Sequence, residues 1–241
     1  RSSLVGSEMC IRDRTEMVQR AGQICRCVDI PIIVDADTGY GNPLNVYRTV
    51  EQLIAAGAAG CFLEDQVWPK KCGHMRGKQV IPQQDYIDKI RAAVDARGDD
   101  DFFIVARTDA LAVIGMDDAV ARVTAAREAG ADASFIEAPD SLDRLEEIGR
   151  RSPAPNVANM IEGGKTPVLG KDELTDMGFH LILHPLSGLL AAAKSIEMMY
   201  QQLFADGTTL GQADKQMTFS EFNELISVEE KYNLAQRFGV S

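Results

Sequence analysis

No run of about 18 consecutive apolar residues occurs in the 241-residue sequence, so the usual signature of a membrane-spanning helix is missing. No secretory signal pattern is visible. Positive charge is scarce: 25 Lys and Arg stand against 36 Asp and Glu, a formal net charge of −11. Nucleic acid and anionic membrane repel such a chain, so neither is an expected partner. An anionic substrate would need cations placed locally in its site. Cysteine is irregular. The five residues Cys10, Cys25, Cys27, Cys61 and Cys72 are odd in number and form no disulfide framework, which points to a reducing cytoplasm. Cys25 and Cys27 do not face each other on a helix, which argues against a zinc pair. Apolar residues at 45% suffice for a full core, and the length suits one barrel or one large domain.

What is present is an alternation. A helix is expected over 15–28, then an apolar run over 30–34 suited to a fully buried parallel strand, ending in Asp35-Ala36-Asp37. Asn42 caps the next helix, with Pro43 at its first position and Val46, Val50, Leu53 and Ile54 turned inward. The unit repeats. Strands are expected at 61–63, 102–106, 133–136, 156–160 and 180–183, each followed by a helix. The strand ends are polar: Glu64-Asp65, Arg107-Thr108-Asp109, Glu137, Glu162 and His184.

Six strand-then-helix units imply an α/β fold with a parallel sheet, and a barrel of this kind places its active site on the loops after the strands. The expected architecture is a (β/α)₈ TIM barrel, N-terminally truncated, with an extra C-terminal helix. An open doubly wound sheet is disfavoured because no glycine-rich first turn follows a strand. Residues 1–14, RSSLVGSEMCIRDR, lack periodicity. Their second half resembles the translated transposon end used in sequencing-library preparation, so a non-native leader is expected there. Residues 15–206 would form the partial barrel, and 207–241 a connector and a helix. Thr218 and Glu221 form a capping box for that helix. Its apolar side, Phe219, Phe222, Leu225, Ile226 and Tyr232, would pack on its own barrel or on a neighbouring subunit.

Asp35, Asp37 and Glu64 are carboxylates at adjacent strand ends, and hard oxygen ligands of this kind suit Mg²⁺. Helix capping or loop salt bridges are the competing roles. The loop DQVWPKKCGHMRGKQV concentrates Lys70, Lys71, Arg76 and Lys78 around Cys72-Gly73-His74. There Cys72 could donate or accept a proton, and Gly73 could let a closing lid move. A solvated basic loop with an incidental cysteine is the alternative. Zinc at Cys72 and His74 lacks a second ligand pair. Arg107 could grip a carboxylate with two hydrogen bonds, or merely pair with Glu137. Glu137 and Asn159 could orient substrate. His180 is expected to be structural, His184 is open to either role, and Met198 and Met199 are expected in the core.

The segments Val34-Asp35-Ala36-Asp37-Thr38-Gly39-Tyr40-Gly41, Leu63-Glu64-Asp65-Gln66, Lys70-Lys71-Cys72-Gly73-His74 and Val105-Ala106-Arg107-Thr108-Asp109 resemble the isocitrate lyase/phosphoenolpyruvate mutase superfamily. The Lys-Lys-Cys-Gly-His run marks its lyase branch: isocitrate, methylisocitrate and 2,3-dimethylmalate lyases and oxaloacetate hydrolases. The resemblance implies Mg²⁺, with Mn²⁺ as a substitute, held by Asp35, Asp37 and Glu64 partly through water. It implies a small anionic carboxylic-acid substrate bound by Lys71, Gly73, Arg107 and Asn159. Cys72 would be the general acid, with His74, Arg107 and Glu137 as its catalytic company. It also implies a homotetramer, a dimer of dimers that exchanges C-terminal helices. The family's first strands carry a Ser-Gly loop and a further aspartate that this chain lacks. Two other outcomes are a phosphonate-forming mutase on the same scaffold and an inactive metal-binding fragment.

Overall fold

The computed structural model describes residues 13–75 and 77–239. Residues 1–12 of the expected leader lie outside these. Asp13 and Arg14 instead belong to the first helix, α1 (Arg14–Cys25), where the Asp13 carboxylate accepts the Glu16 N–H at 3.0 Å. Strand β1 (Ile33–Asp35) starts later than the apolar run from 30 suggests. Pro31 has no N–H for a ladder, Ile30 is 68% exposed, and pairing begins at Ile33 with Gly60. β1 is an edge strand with only Val34 buried, not the fully buried strand expected.

Helix α2 (Pro43–Ala55) starts as expected. The Asn42 side chain accepts the Leu44 and Asn45 N–H groups, and Asn45 Oδ1 accepts the Asn42 N–H in return. Val46, Thr49, Val50 and Leu53, at helical spacing, are its buried face. The remaining elements are β2 (Gly60–Glu64), α3 (Gln83–Arg97), β3 (Phe103–Thr108), α4 (Met116–Glu128), β4 (Ala133–Ile136), α5 (Leu142–Arg151), β5 (Asn156–Asn159), α6 (Lys171–Asp176) and β6 (Phe179–Leu183). The six strands form one sheet in chain order, every pair parallel. This is the expected barrel architecture in part, an arc of six strands.

Alternation along the strands separates two cores. Cys61, Leu63, Ile104 and Ala106 turn toward the helices and pack with Leu53, Tyr86 and Ile90. Val105, Phe135 and Val157 turn the other way and pack with Phe62, Phe103 and Leu181. Each fully buried aliphatic or aromatic side chain contributes about 1.5–3 kcal/mol by area transfer.

A second compact unit comprises Leu186–Ser241. It holds α7 (Ser187–Asp206), α8 (Phe219–Leu225) and α9 (Val228–Arg237). The capping box is present, with Thr218 and Glu221 bonded reciprocally. The single helix expected beyond it is broken, because Ser227 adopts a left-handed conformation, φ 53°, and its N–H turns back to Glu224. Met198 is exposed and Met199 only half-buried, a correction to the core role expected of both. None of the helices in this unit has a buried described residue, so no layer within the unit covers them. Among the described residues, no helix is long and apolar enough to cross a membrane, and four cysteines are free.

Candidate active site

Strand parity gathers the polar residues. Glu64 follows Phe62 by two positions, Arg107 follows Val105, Glu137 follows Phe135, and Asn159 follows Val157. Each therefore shares the face of the inner core, opposite the helices. Asp37 lies just beyond β1 in a loop held in an unusual conformation. Asp37, Gly39, Tyr40 and Gly41 all have positive φ, at 52°, 82°, 61° and 145°. Gly39 cannot be replaced freely, since a Cβ there would lie 2.3 Å from Val46 Cγ2. Non-glycine residues hold such angles only where the surroundings enforce them, a frequent property of functional loops.

The three candidate metal carboxylates converge, and a lysine ammonium stands among them. Lys70 Nζ lies 2.5 Å from Asp37 Oδ1, 3.5 Å from Glu64 Oε1 and 3.8 Å from Asp35 Oδ2. Burial works against the charge of Lys70, but Asp35, Glu64 and Asp37 outweigh it and hold the ammonium well above the ordinary lysine range. Glu64 responds the other way. Burial pushes its carboxyl up to about 8, against the pull of Arg107 and Lys70. Both Glu64 oxygens are buried without a hydrogen bond, though Arg107 Nε lies 3.2 Å from one of them. Among the described residues, no three acidic, thiol or imidazole groups already stand at ligand spacing. The donor set nevertheless fits a hard divalent cation: converging carboxylates, two of whose buried oxygens accept nothing, around a point already occupied by positive charge.

The loop that supplies Lys70 has a closed neck. Gln66 pairs with Val80 in an antiparallel bridge, Val67 N–H donates to Gln79 O at 2.8 Å, and Ile81 N–H donates to Asp65 O at 2.8 Å. Within it, Gln66 bonds the backbone N–H and C=O of Lys71. The Lys71 ammonium donates to Gly77 O at 3.0 Å. Of the two adjacent lysines it is thus Lys70, not the candidate substrate ligand Lys71, that reaches the carboxylates.

Cys72 is half-buried, and Gly73 lies on the floor of the site. A Cβ at Gly73 would meet Glu137 Cγ at 2.5 Å and Arg107 Nη2 at 2.7 Å. The glycine is thus required for close approach of the loop to β3 and β4, a reason different from the mobility expected of it. His74 Nδ1 accepts the Lys165 N–H at 2.8 Å, and Nε2 lies 3.1 Å from Glu137 Oε1. Asn159 Nδ2 donates to both Glu137 oxygens, at 3.2 and 3.3 Å. Glu137 therefore sits between the Asn159 amide, which donates to it, and the His74 ring, which lies within ion-pair distance. His180 and His184 lie apart, both exposed; His180 Nδ1 accepts the Asn156 N–H at 3.4 Å.

Arg107 is nearly buried and surrounded by acids. Its Nε lies 3.1 Å from Asp109 Oδ2, 3.2 Å from Glu64 Oε2 and 3.9 Å from Glu137 Oε2, and the guanidinium stacks over Phe135. The pairing with Glu137 considered from sequence is the longest of the three. Burial opposes its charge, yet Asp109, Glu137 and Glu64 hold it well above the ordinary range. Two further residues belong to the site's support. Asp65 accepts from the Thr108 hydroxyl at 2.6 Å, the Asp109 N–H at 2.9 Å and Arg122 at 3.1 Å. Lys78, only 8% exposed, reaches Asp109. The sequence offered a signal for both: Asp65 directly follows Glu64, and Lys78 lies in the basic loop. The lysine's burial depends on a partner 31 residues away.

A parallel β/α sheet that collects ionisable side chains over the carboxyl ends of its strands defines the class, a barrel enzyme. Within that class the chain belongs to the phosphoenolpyruvate phosphomutase family, whose model matches residues 7–204. The match begins inside the stretch read from sequence as a leader. Among curated relatives, the chain is 54% identical over 227 residues to a chloroplastic carboxyvinyl-carboxyphosphonate phosphorylmutase of Arabidopsis thaliana, covering 92% of this chain and 67% of the relative. It is 45% identical to the 2,3-dimethylmalate lyase of Eubacterium barkeri, over 90% of this chain and 75% of that one. An oxaloacetate acetylhydrolase solved with 3,3-difluorooxalacetate superposes with a TM-score of 0.88 at 32% identity, covering 96% and 79%. A phosphonopyruvate hydrolase solved with oxalate and Mg²⁺ gives 0.84 at 28%, covering 95% and 80%. The superfamily thus contains both carbon–carbon lyases and phosphorus-handling enzymes, and the resemblance read from the Asp-Ala-Asp and Lys-Lys-Cys-Gly-His segments is upheld.

Proposed function

We propose that this protein cleaves a carbon–carbon bond in a small 2-hydroxy, or hydrated 2-oxo, di- or tricarboxylate such as 2,3-dimethylmalate or 2-methylisocitrate. The observation that carries the reading is the seating of Cys72-Gly73-His74 directly on Glu137 and Arg107. The half-buried Cys72 is thereby carried next to a glycine that packs on a guanidinium suited to a substrate carboxylate. Glu137, positioned by His74 and Asn159, takes the proton of the C2 hydroxyl. The C2–C3 bond breaks, its electron pair goes to the C3 fragment, and C2 leaves in a 2-oxo acid, or as a further carboxyl group where the substrate was a hydrated 2-oxo acid. The enolate so formed takes a proton from Cys72. The loop over the strand ends excludes water. Asp35, Asp37 and Glu64 would hold a divalent cation, Mg²⁺ or Mn²⁺, which would supply Lewis-acid stabilisation of charge on the substrate oxygens. The exposed apolar residues of α8 and α9 support helix exchange in a homotetramer, and the free thiols support a reducing, cytoplasmic setting.

The test is incubation with Mg²⁺ and a panel of isocitrate, 2-methylisocitrate, 2,3-dimethylmalate and oxaloacetate, with Cys72→Ala as control. Cleavage of one compound, lost in the variant, supports the proposal; cleavage of none overturns it. A phosphorylmutase is the second reading, favoured by the 54% identity to the Arabidopsis enzyme. New phosphonate signals in phosphorus NMR with phosphoenolpyruvate would select it.

A further inference from the structure

Lys78 is a buried ammonium that the proposed chemistry does not use. Its side chain is 2% exposed, and the Asp109 carboxylate it faces is 0% exposed. Nζ donates to two acceptors, the backbone carbonyl of Gly73 at 2.5 Å and Asp109 Oδ1 at 2.7 Å. The first acceptor lies between Cys72 and His74. The second belongs to a carboxylate on the loop leaving β3 whose other oxygen, Oδ2, accepts from Arg107 Nε at 3.1 Å. One ammonium therefore joins the backbone that carries the thiol to the carboxylate that aims the guanidinium. No surface requirement explains a lysine here. Burying an ammonium is costly unless it is paired and hydrogen-bonded, and both of its partners belong to the site.

We propose that Lys78 is a positioning residue: its ammonium latches the Cys72-Gly73-His74 segment onto β3 and fixes the thiol relative to Arg107. The proposal rests on the lyase reading for its catalytic consequence, but not for its structural one. Without Lys78, the Gly73 carbonyl loses the ammonium, and Asp109 Oδ1 keeps only the longer bond from Arg107 Nη2 at 3.5 Å. Among the described residues, the loop then keeps its neck, the Gln66 contacts, the His74 contacts and the Lys70 ion pairs to hold it down, and of these Lys70 and His74 flank the thiol segment without fixing the Gly73 carbonyl. Arg107 keeps Asp109, so the effect falls on the loop more than on the guanidinium.

The test reads loop seating without any substrate. Iodoacetamide labelling is followed site by site by mass spectrometry in the wild type, Lys78→Met and Lys78→Arg. Exposed Cys27 serves as the rate reference and buried Cys61 as the reference for the intact core. In Lys78→Met, labelling of Cys72 is expected to quicken at least tenfold relative to Cys27, with Cys61 still protected. Lys78→Arg, which keeps a cation for Asp109, is expected to restore the rate to within about threefold of wild type. On whichever substrate the wild type cleaves, kcat should fall at least tenfold in Lys78→Met while KM moves less than threefold. An unchanged Cys72 rate in Lys78→Met overturns the latch. So does exposure of Cys61 alongside Cys72, which would make Lys78 a support of the whole fold. Because labelling needs no turnover, failure of the lyase reading leaves this result interpretable.

Discussion

Nε2 of His74, carried on the long loop, lies 3.1 Å from Oε1 of Glu137 at the end of β4. The other ring nitrogen, Nδ1, accepts the Lys165 N–H, which leaves Nε2, on the side of Glu137, to carry the ring proton. Nitrogen-15 NMR should therefore show the Nε2–H tautomer for His74. His74→Ala should lower kcat/KM by about a hundredfold, in the range of a misplaced proton-transfer group. An Nδ1–H tautomer would contradict the arrangement.

Gly73→Ala places a methyl group 2.5 Å from Glu137 Cγ. The loop must lift or the floor must shift, at a cost of about 1–3 kcal/mol. Melting should fall by roughly 2–4 °C for each kcal/mol, with cleavage lost disproportionately. Wild-type cleavage in this variant would show that the close approach is dispensable.

Lys70 holds its ammonium at the point where a divalent cation would be bound by Asp37 and Glu64. Two cations do not share that point without cost. Lys70→Met should bind Mg²⁺ about tenfold more tightly, ~1.4 kcal/mol, in titration calorimetry. Removing metal with EDTA should lower the melting temperature of Lys70→Met more than that of wild type, since the variant has no internal replacement for the ion. Equal Mg²⁺ affinities would separate Lys70 from the ion's position.

Asp109 gives a pH dependence of definite sign. Burial alone would raise its carboxyl, but Arg107 and Lys78 outweigh burial and hold it below the ordinary 3.8. A carboxylate depressed in the folded chain stabilises it above the unfolded value, and that contribution disappears as pH falls through the folded one. Melting temperature should therefore drop steeply below pH ~4. Asp109→Asn should be less stable at neutral pH, with a flatter acid limb. Parallel acid limbs would remove Asp109 from the account.

Much of this was legible in the sequence because the signals were local. Asn42-Pro43 announces a helix start by its own hydrogen bonds, and two-residue periodicity places Glu64, Arg107 and Glu137 on one face. The misses depend on distant partners. Whether Lys70 or Lys71 turns inward is set by Gln66, which holds the backbone of Lys71. The burial of Lys78 is set by Asp109. β1 reads as a fully buried strand because its residues are apolar, but exposure is decided by neighbours and Pro31, and among the described residues β1 pairs with β2 alone. The break at Ser227 carries no glycine or proline to mark it.

The neck formed by Gln66, Val67, Gln79, Val80 and Ile81 gives the long loop the character of a cassette. Its two ends are pinned side by side, so its interior can vary in sequence without changing the spacing of β2 and α3. Selection can then rewrite the loop's exposed positions, such as Val67, Trp68 and Met75, while Lys70, Gly73, His74, Lys78 and the strand-end carboxylates stay as they are. A family that spans several reactions on one scaffold is what such a division of labour would produce.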